Sequence, residues 1–285
     1  MEYETLRLRL HISKKIKNLY AGSFQSKSNS TRGFDLQEKR NFRIGDDPRA
    51  INKVSTIREG RFKISVKKAE KSANIYMLID RSGSLNFGSE EKTKNDYALG
   101  LVAKISGACL GDGNRIRFFA FTNKMEYEGP FVSTQQSMED EVSSISKLKT
   151  SGHQSDLRLP MAEMGKTLEE GGLNKPNLLF IFSDFLLAPN FDKEIRNLSE
   201  STDILVFCLR DKTEIKLPCL KGGLTKLVDG ETGRVILAKK IKNPLDNVAP
   251  ILKRYEVDYI EVDASEEEGK NLKKLVDLFE DRRGN

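Results

Sequence analysis

Two nearly all-apolar segments, each ending on an aspartate, constrain the fold of this chain more than any other feature. They span residues 74–80 and 177–184, and each has the length of a β-strand. A strand that lacks alternating polar residues is apolar on both faces, so both faces must be covered. The two segments therefore predict central strands of a parallel sheet that lies between layers of helices.

Helical and strand patterns alternate through the rest of this region. Apolar residues at helical spacing predict helices over 91–110, 137–148, 157–170, 191–199, 245–255 and 266–280. Further strands are predicted over 115–121, 203–209 and 258–262, with 125–127 as an antiparallel edge partner. This alternation predicts an α/β fold with an open, doubly wound, mostly parallel sheet and helices on both faces.

The first 69 residues differ from the remainder in charge. They hold 17 Lys and Arg against seven Asp and Glu, whereas the whole chain has a net charge of only +6. The residues after them are therefore net acidic. We expect a basic N-terminal segment, 1–69, made of a helix, a loop and short strands, that packs on a main domain, 70–285.

Local patterns subdivide both parts of the chain. In the N-terminal segment they predict a helix over 4–19, a loop over 23–33 and an irregular polar stretch over 34–66 that ends in a short strand, 61–66. In the main domain, strand-like segments flank the turn sequence Asp229-Gly230-Glu231-Thr232-Gly233. This pattern predicts a hairpin insertion near 217–238.

The composition excludes several classes of protein. No apolar run approaches the ~18 residues needed to cross a bilayer. We expect no signal peptide, because the first residues do not form a basic region followed by an apolar run. Three cysteines without a C-x-x-C pair argue against a disulfide framework or a zinc ribbon. We therefore expect a cytoplasmic protein without a membrane span.

Polar side chains follow the two apolar strands and open one predicted helix. Asp80-Arg81-Ser82-Gly83-Ser84 ends the first strand, Asp184 ends the later one, and Ser155-Asp156 precedes the helix over 157–170. In open α/β sheets the carboxyl ends of the central strands meet at one edge, where ligands bind. The three loops are therefore expected to converge.

The alternation of a carboxylate and two hydroxyls in Asp80-x-Ser82-x-Ser84 suits a hard cation. Mg²⁺ prefers an octahedron of oxygen ligands, and Mn²⁺ or Ca²⁺ also accept oxygen donors. Neutral hydroxyls close to the ion leave it electrophilic. Such an ion is able to accept an Asp or Glu carboxylate from another protein.

This arrangement looks like the metal-ion-dependent adhesion site of von Willebrand factor A domains. The residues that the resemblance carries over as metal ligands are Asp80, Ser82, Ser84, Ser155 and Asp184. The second-loop hydroxyl is usually threonine in that fold, and here it is Ser155. Serine supplies the same single oxygen.

A second set of motifs resembles a narrower group, the bacterial domain-of-unknown-function 58 family. Residues 40–51 are similar to its R-x-Y-x-x-G-D-D-x-R-x-I signature, and 55–58, Leu217-Pro218 and 229–233 are similar to further segments. Asn52-Lys53 departs from the usual acid and tryptophan. The resemblance implies an adaptor or co-chaperone that works with a MoxR-type AAA+ ATPase.

Within the first of these motifs, several charged residues are candidates for an interaction or a structural role. They are Arg40, Arg43, Asp46, Asp47, Arg49 and Arg58. A tight turn at Gly45-Asp46-Asp47-Pro48 favours the structural role, and docking onto the main domain or a partner is the alternative.

The preferred hypothesis is a non-enzymatic, metal-dependent protein interaction module. The alternative is a metal-dependent hydrolase at the same site, for which only Asp156 and His153 are nearby candidate bases. Nucleic-acid binding is ranked below both, because the basic residues are scattered without stacking aromatics. Gly165-Lys166-Thr167 lacks the upstream glycine of a phosphate-binding loop, so nucleotide binding is not expected there.

Overall fold

The computed structural model of the chain describes twelve stretches of sequence. These are residues 37–42, 51, 53–67, 73–88, 92–110, 113–149, 155–170, 177–186, 191–215, 225–228, 235–238 and 245–284. The predicted helix over 4–19, the loop over 23–33 and the turn at residues 45–48 lie outside them. The chain divides into two compact units, one within residues 20–71 and the other from residue 72 onward.

The smaller unit contains two strands and one short helix. Strand β1 (Gln37–Asn41) pairs antiparallel with β2 (Lys63–Lys67), and helix α1 (Lys53–Glu59) lies between them in the chain. The expectation of an irregular stretch over 34–66 was therefore wrong for β1 and α1, whereas the short strand predicted over 61–66 is confirmed by β2. The β1 sequence is entirely polar, so its strand depends on pairing with β2, which hydrophobic periodicity does not reveal.

In the larger unit, strands and helices alternate along the chain. The strands are β3 (Asn74–Asp80), β4 (Arg115–Phe121), β5 (Met125–Val132), β6 (Asn177–Ser183), β7 (Asp203–Arg210), β8 (Thr225–Val228), β9 (Val235–Ala238) and β10 (Asp258–Asp263). The helices are α2 (Lys94–Cys109), α3 (Gln135–Ser146), α4 (Arg158–Glu170), α5 (Asp192–Ser199), α6 (Lys212–Ile215), α7 (Leu245–Arg254) and α8 (Glu268–Gly284). A 3₁₀ turn, Gly83–Asn86, follows β3.

Six of these strands form one sheet in the order β10-β7-β6-β3-β4-β5. Every neighbouring pair is parallel except β4 and β5, which are antiparallel and place β5 at the edge. The predictions of a mostly parallel α/β sheet and of an antiparallel edge strand after 115–121 are confirmed. Separately, β8 and β9 pair antiparallel with Thr225 opposite Ala238.

Two hydrophobic clusters cover the two faces of this sheet. Alternate residues of β3 belong to different clusters, with Ile75, Met77 and Ile79 in one and Tyr76 and Leu78 in the other. The first cluster includes buried residues of α2, α3 and α8, and the second includes those of α4, α5 and α7. Burial on both faces explains why β3 and β6 carry almost no polar residues.

The chain order reverses direction at β3. From β3 the chain proceeds to β4 and β5 on one side, then returns to β6 on the other side and continues to β7 and β10. The loops after β3 and β6 consequently diverge at the carboxyl edge of the sheet, which is where α/β sheets bind ligands. None of the helices in the described part of the chain is long and apolar enough to cross a membrane.

We expect Phe182→Ala to lower the free energy of unfolding by about 3–5 kcal/mol, because it leaves a cavity in the core. Phe182 is fully buried, and its ring stacks on Phe207 with centroids 4.5 Å apart. Denaturant unfolding followed by circular dichroism measures the change. Phe87→Ala is the control, since Phe87 is 46% exposed and lies outside the core clusters; an equal loss in both variants would contradict the assignment of this core.

Candidate functional site

The centre of the candidate site is the carboxylate of Asp80, the last residue of β3, which is completely buried. Its Oδ1 accepts a hydrogen bond from the Ser82 backbone N–H at 2.9 Å. Its Oδ2 accepts from the Ser155 hydroxyl at 2.8 Å and from the Ser183 hydroxyl at 2.6 Å. One carboxylate thus joins three segments that are far apart in sequence.

The turn after β3 holds the two serines of the D-x-S-x-S motif. The 3₁₀ turn begins after Ser82, and its Leu85 side chain is anchored in the core. The hydroxyls of Ser82 and Ser84 lie 3.1 Å apart and share a hydrogen bond. Arg81 turns away from this pair, with its guanidinium donating to Asn95 Oδ1 and, at 3.4 Å, to the Ser146 carbonyl.

Ser155 reaches Asp80 because the loop before α4 is fixed to the neighbouring strand β4. The Asp156 backbone N–H donates to the Thr122 carbonyl, immediately after β4, at 3.2 Å. The Asp156 carboxylate accepts from the Arg158 backbone and guanidinium, which holds the pKa of Asp156 below its usual value. Asp156 therefore organises the start of α4, and nothing in its contacts favours a role as a general base. His153 lies outside the described residues.

Asp184 follows β6 directly and is also buried. Its Oδ1 accepts from the Leu186 backbone N–H at 3.2 Å, and its Oδ2 pairs with the Lys94 ammonium at 2.8 Å. The next residue, Phe185, has a φ of 53°, a left-handed conformation that is costly for a bulky residue. The Ser183 hydroxyl accepts the Phe185 N–H and helps to hold that conformation.

The Lys94 ammonium connects this loop to the one after β7. It also pairs with Glu214 Oε1 of α6 at 2.7 Å, and its side chain is fully buried. Burial alone would lower the pKa of Lys94, but the charges of Asp184 and Glu214 outweigh burial and raise it. Lys94 is therefore charged and is neutralised by two carboxylates.

Asp80 differs from Asp184 in having only neutral hydrogen-bond partners among the described residues. Burial and the negative charge of Asp184 raise the pKa of Asp80 to about 6, against the lowering effect of its three hydrogen bonds. A buried carboxylate without a cation is energetically unfavourable. A bound cation would therefore stabilise the site by neutralising the negative charge of Asp80.

The donor set at this edge is one of carboxylate and hydroxyl oxygens. Two aspartates and three serines supply it, and oxygens of these types are what Mg²⁺ and similar hard cations prefer. No cluster of three or more His, Cys, Asp or Glu side chains that could hold a metal occurs within the described stretches. Any cation bound here would therefore need serine hydroxyls as well as carboxylates among its ligands. The described residues do not provide a site made of carboxylates alone.

The structure brings all five predicted ligands to one edge of the larger unit. Two of the charged residues predicted in the N-terminal motif are described, and both belong to the smaller unit. Arg40 is in β1 opposite Ile64, and Arg58 is exposed in the last turn of α1. Arg43, Asp46, Asp47 and Arg49 are outside the described residues.

Three residues of the site were missed by sequence reasoning. Ser183 ends a strand beside β3, so the register of the two strands would have revealed it. Lys94 is the first residue of α2 and follows its N-cap, Thr93. A positive charge at this end of a helix opposes the helix dipole, so a lysine here is a weak sequence signal of a buried acidic partner. Glu214 lies in a four-residue helix that was not predicted, so no sequence signal identified it.

The fold and this edge define a class: α/β proteins whose central strands end in a buried, oxygen-rich polar cluster. Comparison with known proteins then gives the family, since residues 38–245 match the model of the protein of unknown function DUF58. The chain belongs to the DUF58 family.

The chain is also similar to curated mycobacterial proteins. The chain is 24% identical over 205 residues to uncharacterised proteins of Mycobacterium tuberculosis and Mycobacterium bovis. The aligned region is 71% of this chain and 62% of each relative, so the chain spans less than two thirds of their length.

Two solved structures share the fold. One is the conserved hypothetical protein BatB of Bacteroides thetaiotaomicron, with a TM-score of 0.51 and 12% identity over 75% of this chain and 100% of that one. The other is an aerotolerance-related membrane protein of Bacteroides fragilis, with a TM-score of 0.51 and 15% identity over 74% of this chain and 98% of that one. At such low identity the likeness concerns the fold alone.

We expect the stability of the metal-free protein to depend on pH through Asp80. Its pKa is raised to about 6, so the protonated carboxyl contributes stability that is lost as the pH rises through about 6. Relative to Asp80→Asn, the wild type should lose on the order of 1 kcal/mol between about pH 5 and about pH 8. Urea unfolding in chelator at several pH values measures this difference.

Asp156→Asn serves as the reference for a carboxylate in the same region whose pKa is lowered instead of raised. Its effect on stability should not follow the Asp80 profile over this pH range. A constant stability difference between wild type and Asp80→Asn across the range would contradict the raised pKa.

Proposed function

We propose that this protein is a metal-dependent protein interaction module, in which a divalent cation at the Asp80 edge accepts a carboxylate from a partner. The observation that carries this proposal is the buried Asp80 carboxylate, whose hydrogen-bond partners among the described residues are all neutral. A divalent cation would neutralise it together with Asp184. Mg²⁺ is the preferred ion, and Mn²⁺ or Ca²⁺ have suitable ligand chemistry.

We further propose that the larger unit is a doubly wound, von Willebrand factor A-like domain with a metal-ion-dependent adhesion site. Support comes from the reversal of chain order at β3 and from helices on both faces of the sheet. Further support comes from the D-x-S-x-S turn, the loop hydroxyl and the second aspartate at that reversal. In this assignment Asp80, Ser82, Ser84, Ser155 and Asp184 would hold the ion, directly or through water.

The partner proposed is a MoxR-type AAA+ ATPase, with this protein acting as its adaptor or co-chaperone. The similarity of residues 40–58 and 217–233 to the family signatures suggests this partner. Without a nearby general base in the described residues, the site favours binding over hydrolysis. The metal would act as a Lewis acid that holds the partner's Asp or Glu side chain.

Two exposed apolar side chains lie close in sequence to proposed ligands and suit a protein partner. Phe87 is 46% exposed at the end of the turn that carries Ser84, and Leu159 is 56% exposed at the start of α4, four residues after Ser155. They are the two large apolar side chains of the larger unit's described residues that are this exposed. Isolated apolar residues are common on surfaces, but both here lie within four residues of a proposed ligand in the sequence. We infer that the docking segment carries an apolar residue beside its carboxylate.

Metal binding tests the first part of the proposal. Isothermal titration of Mn²⁺ or Mg²⁺ should give one site in the wild type and no binding in Asp80→Ala, because the central carboxylate is lost. Asp156→Asn is the control and should bind within about twofold of wild type, since this residue contacts Arg158. Equal binding by wild type and Asp80→Ala would overturn the metal site.

Partner binding tests the second part. A purified MoxR-type ATPase should bind the wild type in Mg²⁺ and fail to bind Asp80→Ala in the same buffer. A variant comparison is preferable to chelation, because a chelator also removes the Mg²⁺ that accompanies the nucleotide of an ATPase. Undiminished binding by Asp80→Ala would contradict metal-dependent recognition.

The contribution of Phe87 and Leu159, called the apolar rim, is tested separately. We expect the double variant Phe87→Ser with Leu159→Ser to weaken ATPase binding about tenfold or more while leaving Mn²⁺ affinity unchanged, because the apolar contacts lie outside the ligand set. Lys166→Ser, an exposed position on the same helix as Leu159, is the control. Unaltered ATPase affinity in the double variant would exclude the rim from the interface.

A further inference from the structure

Lys94 is the most unusual charged residue of the larger unit's described part. Lysine is almost never fully buried, and a cation in the first turn of a helix opposes the helix dipole. Lys94 has both features, because its side chain is completely buried and it is the first residue of α2. Its position therefore depends on the two carboxylates that it contacts.

Those carboxylates belong to different loops and have different relations to the metal site. Asp184 is a proposed ligand, and its Oδ2 lies 2.8 Å from the Lys94 ammonium. Glu214 is not a proposed ligand, and its Oε1 lies 2.7 Å from the same ammonium. The other oxygen of Glu214 accepts the Asp211 backbone N–H at 3.0 Å, which fixes this carboxylate independently of Asp184.

The Asp184 carboxylate is thus shared between an internal cation and the proposed metal. A positive charge beside a divalent cation in a buried site weakens metal binding, because the two repel each other at a low local dielectric. A carboxylate oxygen that already accepts an ammonium hydrogen bond is also less available to a metal or its water. Glu214 offers the ammonium a second partner when Asp184 turns to the metal.

We propose that Lys94 is a resident cation that holds Asp184 before the metal arrives and competes with the metal for this carboxylate. This inference rests on the proposed metal site and specifies how its affinity is set. In the metal-bound form, Glu214 retains the ammonium, so the loop after β7 responds to metal binding through Lys94. Lys94 is a positioning residue in this account and does not touch the partner.

Removal of the charge tests the competition. Lys94→Met should bind Mn²⁺ at least about tenfold more tightly than wild type, since the variant keeps an unbranched side chain but lacks the repelling charge. Lys104→Met is the matched control on the same helix, where the lysine pairs with Glu268; it should leave Mn²⁺ affinity unchanged. Lys94→Arg retains the charge and should not tighten binding.

Loss of Lys94 leaves the buried Asp184 carboxylate without a cationic partner among the described residues, and leaves Glu214 with a longer contact, 3.8 Å, to the Arg210 guanidinium. Metal-free Lys94→Met should therefore melt at a lower temperature than wild type, and Mn²⁺ should raise its melting temperature by more. The double variant Lys94→Met with Glu214→Gln removes one charge of each sign and provides a folded alternative if the single variant requires metal to fold. It should also bind Mn²⁺ more tightly than wild type. Tighter binding in either variant, or folding of the single variant only with Mn²⁺, supports the competition.

Asp80→Asn separates failure of this inference from failure of the metal site. Unchanged or weaker Mn²⁺ binding by both Lys94 variants, with binding lost in Asp80→Asn, would overturn the competition alone and leave Lys94 a structural counterion. Equal Mn²⁺ binding by Asp80→Asn and wild type, or no binding by any variant, would overturn the metal site and this inference together.

Discussion

The organisation of this edge of the sheet depends on one buried carboxylate. Asp80 accepts hydrogen bonds from the turn after β3, from the loop before α4 and from the end of β6, and among the described residues these donors are neutral. Because hydrogen bonds to a charged acceptor are stronger than those between neutral groups, a single side chain fixes three loops. No cationic partner of this carboxylate occurs in the part of the chain that the structure describes, and this unbalanced charge connects the architecture of the edge to its proposed function.

The negative charge of Asp184, in contrast, is neutralised by a cation of the chain itself, Lys94. Its carboxylate lies beside β6 and pairs with Lys94, which also pairs with Glu214 after β7. One buried acid is therefore compensated from within the chain, and the other is available for a cation from outside. This asymmetry suits the proposed binding of a divalent ion, and under that proposal Lys94 would link the loops after β6 and β7 to the ion.

The sequence predicted much of the larger unit but little of the smaller one. Helices and central strands were predictable because their apolar spacing reflects burial, and β3 and β6 are buried along their whole length. Strand β1 was not predictable, since its polar sequence acquires strand structure by pairing with β2. The short helix α6 was also missed, because four residues are too few for a periodic pattern.

By itself, the sequence determined the α/β class and the chemistry of the candidate site. Runs of apolar residues ending in Asp80 and Asp184 specify both, since buried parallel strands bring their carboxyl ends to one edge. Only the tertiary structure decided which polar groups meet there. Ser183 lies 103 residues from Asp80, and Lys94 lies 90 residues from Asp184 and 120 from Glu214. Such contacts follow from strand order and helix placement, which arise from packing of the whole sheet and leave at most a weak local signal, such as a lysine in the first turn of α2.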